Sequence, residues 1–176
     1  MRFLLVALLL AVPPAGPAAA AAPQVTDPAG DANAAGVAGT PASLAAYDLT
    51  AVRWYAADDA QHVAVTFADG TRADARYVVR FGTPRCDTGA IEWRTGWPTA
   101  YVEVCGERAW PAAPSRAAGR TVTFTVPFGE LPPSMAPGTA LGGLGATAGP
   151  YADVVVGALY PAADTAASQA RYVVGS

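Results

Sequence analysis

The sequence predicts an all-β protein, an antiparallel two-sheet β-sandwich of jelly-roll or immunoglobulin-like type with little helix. Three observations carry that expectation. Short stretches of apolar–polar alternation recur from residue 47 to residue 174. Turn residues, chiefly Gly, Pro and Asp, punctuate them. No stretch keeps the 3.6-residue period of an amphipathic helix, and there is no internal repeat.

In chain order, residues 1–22 read as a secretory signal: Arg2 supplies the positive start, Phe3 to Val12 the apolar run, and Ala18 to Ala22 the small-residue cleavage tract. The expected product is secreted and extracellular. No later run is long and apolar enough to span a bilayer, because Leu141 to Leu159 is broken by glycines, Pro150 and Asp153. Residues 23–46 are loop chemistry and are expected to pack on the sandwich, which occupies 47–176. Tyr47 to Tyr55 and His62 to Phe67 form a hairpin about the turn at Ala57-Asp58-Asp59-Ala60. In Arg76 to Phe81, Tyr77, Val79 and Phe81 point inward and the arginines outward. Ala90 to Arg94 and Thr99 to Cys105 make a second hairpin around Gly96-Trp97-Pro98.

Thr121 to Val126 is the clearest strand, with Val122, Phe124 and Val126 on one face, and Pro127 ends it. Residues 127–138 read as a connecting loop with at most one helical turn. The Gly-rich run 139–147 is expected to be a weak strand where another backbone approaches closely, 153–156 and 171–174 strands, and 164–169 one helical turn.

Charge narrows the function. Without Arg2, ten basic residues face fourteen acidic ones, so the formal charge moves from −3 to −4, and no like-charge run stands out. That disfavours nucleic acid and anionic membrane as partners. The oligomeric state is not readable. Cys86 and Cys105 are the only cysteines, and in an exported chain they most simply pair, stabilising by roughly 3 kcal/mol in the chain-entropy model. A reactive thiol or a metal site would need a base or further ligands that the sequence does not place nearby.

Two constellations carry possible chemistry. Asp27, Asp31, Asn33 and Asp48 sit at the two ends of a Gly/Ala/Pro loop. Carboxylates and loop carbonyls are hard oxygen donors of the kind calcium takes, and nothing soft is present to favour zinc or copper. The competing reading is that Asp27 and Asp31 only hydrogen-bond their own turns. Trp93, Trp97 and Tyr101 crowd the second hairpin and Trp110 follows it. Such rings stack on the apolar faces of sugars, with Glu92, Arg94 or Glu103 beside them to bond hydroxyls. The alternative is that the rings cap the core.

Asp27-Pro28-x-Gly30-Asp31, then Tyr47-Asp48-Leu49 and an alternating hairpin, resembles the start of secreted β-sandwich domains related to family 9 carbohydrate-binding modules and DOMON domains. Val122-x-Phe124-x-Val126-Pro127 and Tyr172-Val173-Val174-Gly175 are similar to their closing strands. The resemblance implies calcium at the acidic opening, with Asp27, Asp31 and Asp48 on the acidic positions, and sugar or haem on the sandwich face. For haem the chain offers only His62 and Met135, and neither is taken as an axial ligand.

No nucleophile elbow or triad order can be drawn around the single histidine, His62, which reads as an outward-facing strand residue. Glu92 and Glu103 could face each other across the second hairpin as a glycosidase pair. The expected function is a non-catalytic carbohydrate- or glycan-binding module. The alternatives are a structural or protein-interaction sandwich without a small ligand, and a small glycosidase-like hydrolase.

Overall fold

The computed structural model describes residues 22–30, 32, 45–73, 75–150 and 164–176. Residues 1–21 of the expected signal, Asp31, Asn33 and the expected strand at 153–156 lie outside the described residues.

Alternation becomes two antiparallel sheets. The first holds β1 (Val25–Thr26), β2 (Leu49–Ala57), β3 (Ala60–Phe67), β8 (Arg116–Ala118) and β9 (Thr121–Pro127), in the order β1-β2-β3-β9-β8. The second runs β11-β10-β4-β5-β6-β7, built from β4 (Ala75–Thr83), β5 (Cys86–Arg94), β6 (Tyr101–Val104), β7 (Glu107–Ala109), β10 (Ala140–Pro150) and β11 (Asp164–Ser168). A short β12 (Tyr172–Val173) pairs with β10 outside that order. The expected first hairpin pairs Val52 with Val65 and Trp54 with Val63, and Asp58 and Asp59 take positive φ in its turn.

The inner faces of both sheets close on one apolar core. Trp54, Phe67, Tyr77, Phe81 and Phe124 are buried, and Trp54 meets Phe81 edge-on, with centroids 5.3 Å apart at 83°, the geometry the ring quadrupoles favour. Val122, Phe124 and Val126 face inward from β9, and Tyr77, Val79 and Phe81 from β4, while Arg80 stays outside.

Three local expectations change. The Gly-rich run is a long interior strand, β10, paired on both sides with β4 and β11. Close approach, as expected of such a run, explains Gly145, where a Cβ would stand 2.8 Å from the Ala166 carbonyl oxygen. Residues 164–168 are strand β11 rather than a helical turn, because pairing along Leu144 to Ala148 satisfies their backbone and buries Asp164 and Ala166 on one face. The Pro-rich connection holds two short 3-10 turns, Phe128–Glu130 and Pro133–Met135, in place of one helical turn.

The chain end is tied back by one buried amide. Gln61 is 0% exposed. Its Nε2 donates to the carbonyls of Tyr55 and His62, and its Oε1 accepts from the Tyr172 hydroxyl and the Gly175 N–H. Each bond that a buried amide needs is present.

Candidate functional site

The second hairpin, β5–β6, pairs Ile91 with Val102 and Glu92 with Tyr101. Its turn is held from several directions. Trp97 N–H donates to the Arg94 carbonyl at 2.9 Å, with Gly96 at φ +93° supplying the left-handed step. Thr95 Oγ1 accepts from the Ala75 N–H at 2.8 Å and donates to the Ala75 carbonyl at 3.0 Å. Cys86 and Cys105 are bridged, Cα atoms 5.6 Å apart, tying the start of β5 to the end of β6.

That hairpin and the end of β7 present three rings together. Trp110 lies between Trp97 and Tyr101, with centroid separations of 5.5 and 4.7 Å and interplanar angles of 52° and 44°. It is 61% exposed, the largest exposed apolar side chain among the described residues. The Arg94 guanidinium stands 4.6 Å over the Trp97 ring and extends the platform on that side.

Trp93, expected among these rings, is instead a core residue. It is 5% exposed, stacks inside on Tyr77, and donates its Nε1–H to the Trp97 carbonyl at 2.9 Å. The parity of the strand is the reason: Trp93 follows the buried Ile91 by two residues and so shares its face.

The rim of the platform is charged. Glu92 accepts from Arg76 at 2.6 Å and from Arg94 at 2.7 Å. Burial alone would raise its pKa, but the hydrogen bonds and charges of Arg76 and Arg94 outweigh burial and hold the carboxyl below its ordinary value. Glu103 accepts from the Tyr101 hydroxyl at 2.6 Å and lies 3.5 Å from Arg108. The bond to Glu103 is the first cause raising the Tyr101 phenol, with burial adding to it. Glu92 and Glu103 share the outer face but are not directly opposed, because Glu103 pairs with Ala90. Each is engaged by its own cationic neighbours.

Of the acidic opening, Asp27 and Asp48 are described, and the start of β2 also engages an aspartate that the sequence reading did not include, Asp164. Asp48 is 3% exposed; its Oδ2 accepts from the Gly30 N–H at 2.6 Å, while its Oδ1 is buried with no hydrogen-bond partner among the described residues. Asp164, 115 residues from Leu49 in sequence, accepts from the Leu49 N–H through Oδ2 at 2.6 Å and is itself buried. Asp27 sits at the end of β1, its N–H on the Thr50 carbonyl. Among the described residues no three His, Cys, Asp or Glu side chains form a metal-binding group; Asp31 and Asn33 lie outside the described residues.

Sequence reasoning did not single out Asp164. Its signal was one polar residue opening an alternating Asp-Thr-Ala-Ala-Ser run.

His62 faces outward from β3, as expected, and Met135 is buried in the core. A cleft of about 600 Å3 between the ends of β4 and β10, lined by Gly82, Thr83, Asp87, Gly142 and Arg171, shares no residue with the platform. Comparison with protein-family models, with curated proteins and with solved structures finds no match.

Proposed function

We propose that this chain is a secreted, non-catalytic binding module for carbohydrate, related to the family 9 carbohydrate-binding and DOMON-like sandwiches it resembles. The observation that carries the reading is Trp110, a large ring left 61% exposed between Trp97 and Tyr101 on a hydrogen-bonded, disulfide-tied hairpin. An exposed ring of this size, seated between two rings of a tied hairpin, is an anchor for the apolar face of a sugar. The tilt between neighbouring rings suits a chain that bends across them better than a flat crystalline surface. Arg94, Glu103 and Arg108 border the rings and supply donors and acceptors for hydroxyls.

Calcium belongs to the same proposal as a structural ion. Among the described residues Asp48 Oδ1 is a buried carboxylate oxygen without a donor, the kind of atom a hard cation satisfies. Asp27, Asp31 and Asn33 would join Asp48 around it, tying the loop to β2.

The test is affinity electrophoresis of the purified chain through a panel of neutral and plant cell-wall polysaccharides, with intrinsic tryptophan fluorescence as the second readout. Retardation by at least one neutral polymer, lost in Trp110→Ala and Trp97→Ala, is the expected result. Fluorescence and mobility unchanged across the panel would overturn the reading.

A further inference from the structure

The outer face of the five-stranded sheet has a composition that the platform does not explain. None of its strands β1, β2, β3, β8 or β9 contains an Asp or Glu, although the whole chain carries a formal charge of −3. The nearest acidic residues on the hairpin are Asp58 and Asp59, in the turn beyond Ala57. The outward residues of this face include Arg53 and Tyr55 from β2, His62, Ala64 and Thr66 from β3, Thr121, Thr123 and Thr125 from β9, and Arg116 from β8.

Register places these residues in rows. Arg53 pairs with Ala64, Ala64 with Thr123, and Thr123 with Arg116. The two arginines therefore stand at opposite ends of one row, separated by three strand spacings, or roughly 14 Å between Cα atoms. Only the small side chains of Ala64 and Thr123 lie between them. The next row runs Tyr55, His62, Thr125 and forms one wall. A shallow depression of about 340 Å3 follows, bounded by Tyr55, His62, Pro114, Arg116, Thr123 and Thr125.

The wall is preset. The Tyr55 and His62 rings stack with centroids 5.0 Å apart at 12°, and the Arg53 guanidinium lies 4.5 Å from the Tyr55 ring centre. His62 Nε2 is 3.2 Å from the Ala57 carbonyl, which only accepts, so this nitrogen carries a proton. In the neutral ring Nδ1 is then the acceptor for the Thr125 hydroxyl, 3.2 Å away. The Thr125 oxygen keeps its acceptor capacity for a ligand hydroxyl. Among the described residues neither Arg53 nor Arg116 forms an ion pair.

We propose that this face is a second binding site, separate from the ring platform, for an acidic polysaccharide: a sugar chain whose carboxylate or sulfate groups bond to Arg53 and Arg116 while its hydroxyls meet Thr123, Thr125 and Tyr55. Guanidinium forks suit planar oxyanions, and the row spacing holds the two charges apart along an extended ligand. An acidic peptide is the poorer occupant. Peptides dock through pockets for apolar side chains or by backbone pairing at an edge; between the two arginines there is no such pocket, and a strand paired to the β8 edge would leave Arg53, three strands away, out of reach.

Isothermal titration of the purified chain with oligogalacturonate, its fully methyl-esterified form, a sulfated oligosaccharide and poly-glutamate tests the proposal. The uronate or the sulfated chain binds, and which of the two binds more tightly identifies the source of the anion. Binding weakens with salt, the methyl ester fails to bind here, and Arg53→Gln/Arg116→Gln weakens binding roughly tenfold or more. Trp110→Ala leaves this binding unchanged, so failure here and failure of the ring platform are told apart. Arg116 lies on an exposed edge strand, so Arg116→Gln alone carries the test if the double variant does not fold. Unchanged affinity in the arginine variants, or, measured in the Trp110→Ala chain so that the platform does not contribute, equal affinity for the methyl ester or for poly-glutamate, would overturn the proposal.

Discussion

Replacing Asp48 by Asn separates the two accounts of the acidic opening because they differ in sign. The carboxylate is almost fully buried, one oxygen on the Gly30 N–H at 2.6 Å and the other without a partner among the described residues. Asn can keep its carbonyl on Gly30 and turn its NH2 to the other side, so shape and one hydrogen bond survive. Without an ion, the substitution removes a buried charge whose compensation is incomplete, and stability holds or rises by about 1–3 kcal/mol. With calcium bound it removes a ligand. At a free calcium concentration near one hundred times Kd the ion contributes about 2.7 kcal/mol, and loss of most of that lowers Tm by roughly 5–10 °C for a domain of this size.

The assay is differential scanning calorimetry of wild type and Asp48→Asn, each with calcium and with chelator at constant ionic strength. We expect calcium to raise the wild-type Tm by several degrees and to leave the variant where chelator puts it. A wild-type Tm insensitive to calcium, together with a variant as stable as wild type, would refute the ion and leave the turn-chemistry reading of Asp27 and Asp31 standing.

Three further outcomes follow from the fold. Glu92 has a lowered folded pKa, so its contribution is fully present above the ordinary value of 4.5 and is lost as pH falls through the lowered one. Glu92→Gln should therefore cost about 1–2 kcal/mol at neutral pH and flatten the acid limb of a urea-midpoint series, whereas an unchanged acid limb would show the Arg76 and Arg94 bonds to be inert. Gly89→Ala places a Cβ 2.4 Å from the Phe81 ring, an overpacking worth about 1–3 kcal/mol; the double variant with Phe81→Leu should recover part of it in the same denaturation assay. Asp58 and Asp59 both hold positive φ in a two-residue hairpin turn, so Asp59→Gly should stabilise by about 0.5–1 kcal/mol, read as a higher urea midpoint at constant slope.

Local pattern made part of this legible. The hairpin about Asp58-Asp59, the inward set of Tyr77, Val79 and Phe81, and the Cys86–Cys105 bridge follow from alternation, turn chemistry and cysteine count. What escaped depends on pairing across long separations. The glycines of β10 announce a close backbone approach, which Gly145 makes to Ala166, but that the strand is long and interior, with β11 as the partner, only the pairing reveals. Gln61 is one polar residue in an apolar strand, and its four partners come from Tyr55, His62, Tyr172 and Gly175. Asp164 reaches Leu49 because β11 starts beside the start of β2. Of the rings, Trp93 was assignable by parity with Ile91, whereas the exposure of Trp110 depends on where β7 stops.

The two outer faces differ in what holds them ready. At the platform, Trp97 is fixed through its own backbone: its N–H on Arg94, its carbonyl on Trp93 Nε1, and Arg94 over its ring. Trp110 then rests on Trp97 and Tyr101, and Tyr101 is held in turn by Glu103. Ordering such rings on binding costs little conformational entropy, since most of their freedom is already spent in folding. On the opposite sheet the stack of Arg53, Tyr55 and His62 is set by strand register, but Arg116 lies on a three-residue exposed edge strand with no partner for its charge among the described residues. An anion there must order Arg116 as it binds. That face should therefore give weaker, more salt-dependent binding than the ring platform, and its affinity should rise more than the platform's when ionic strength is lowered.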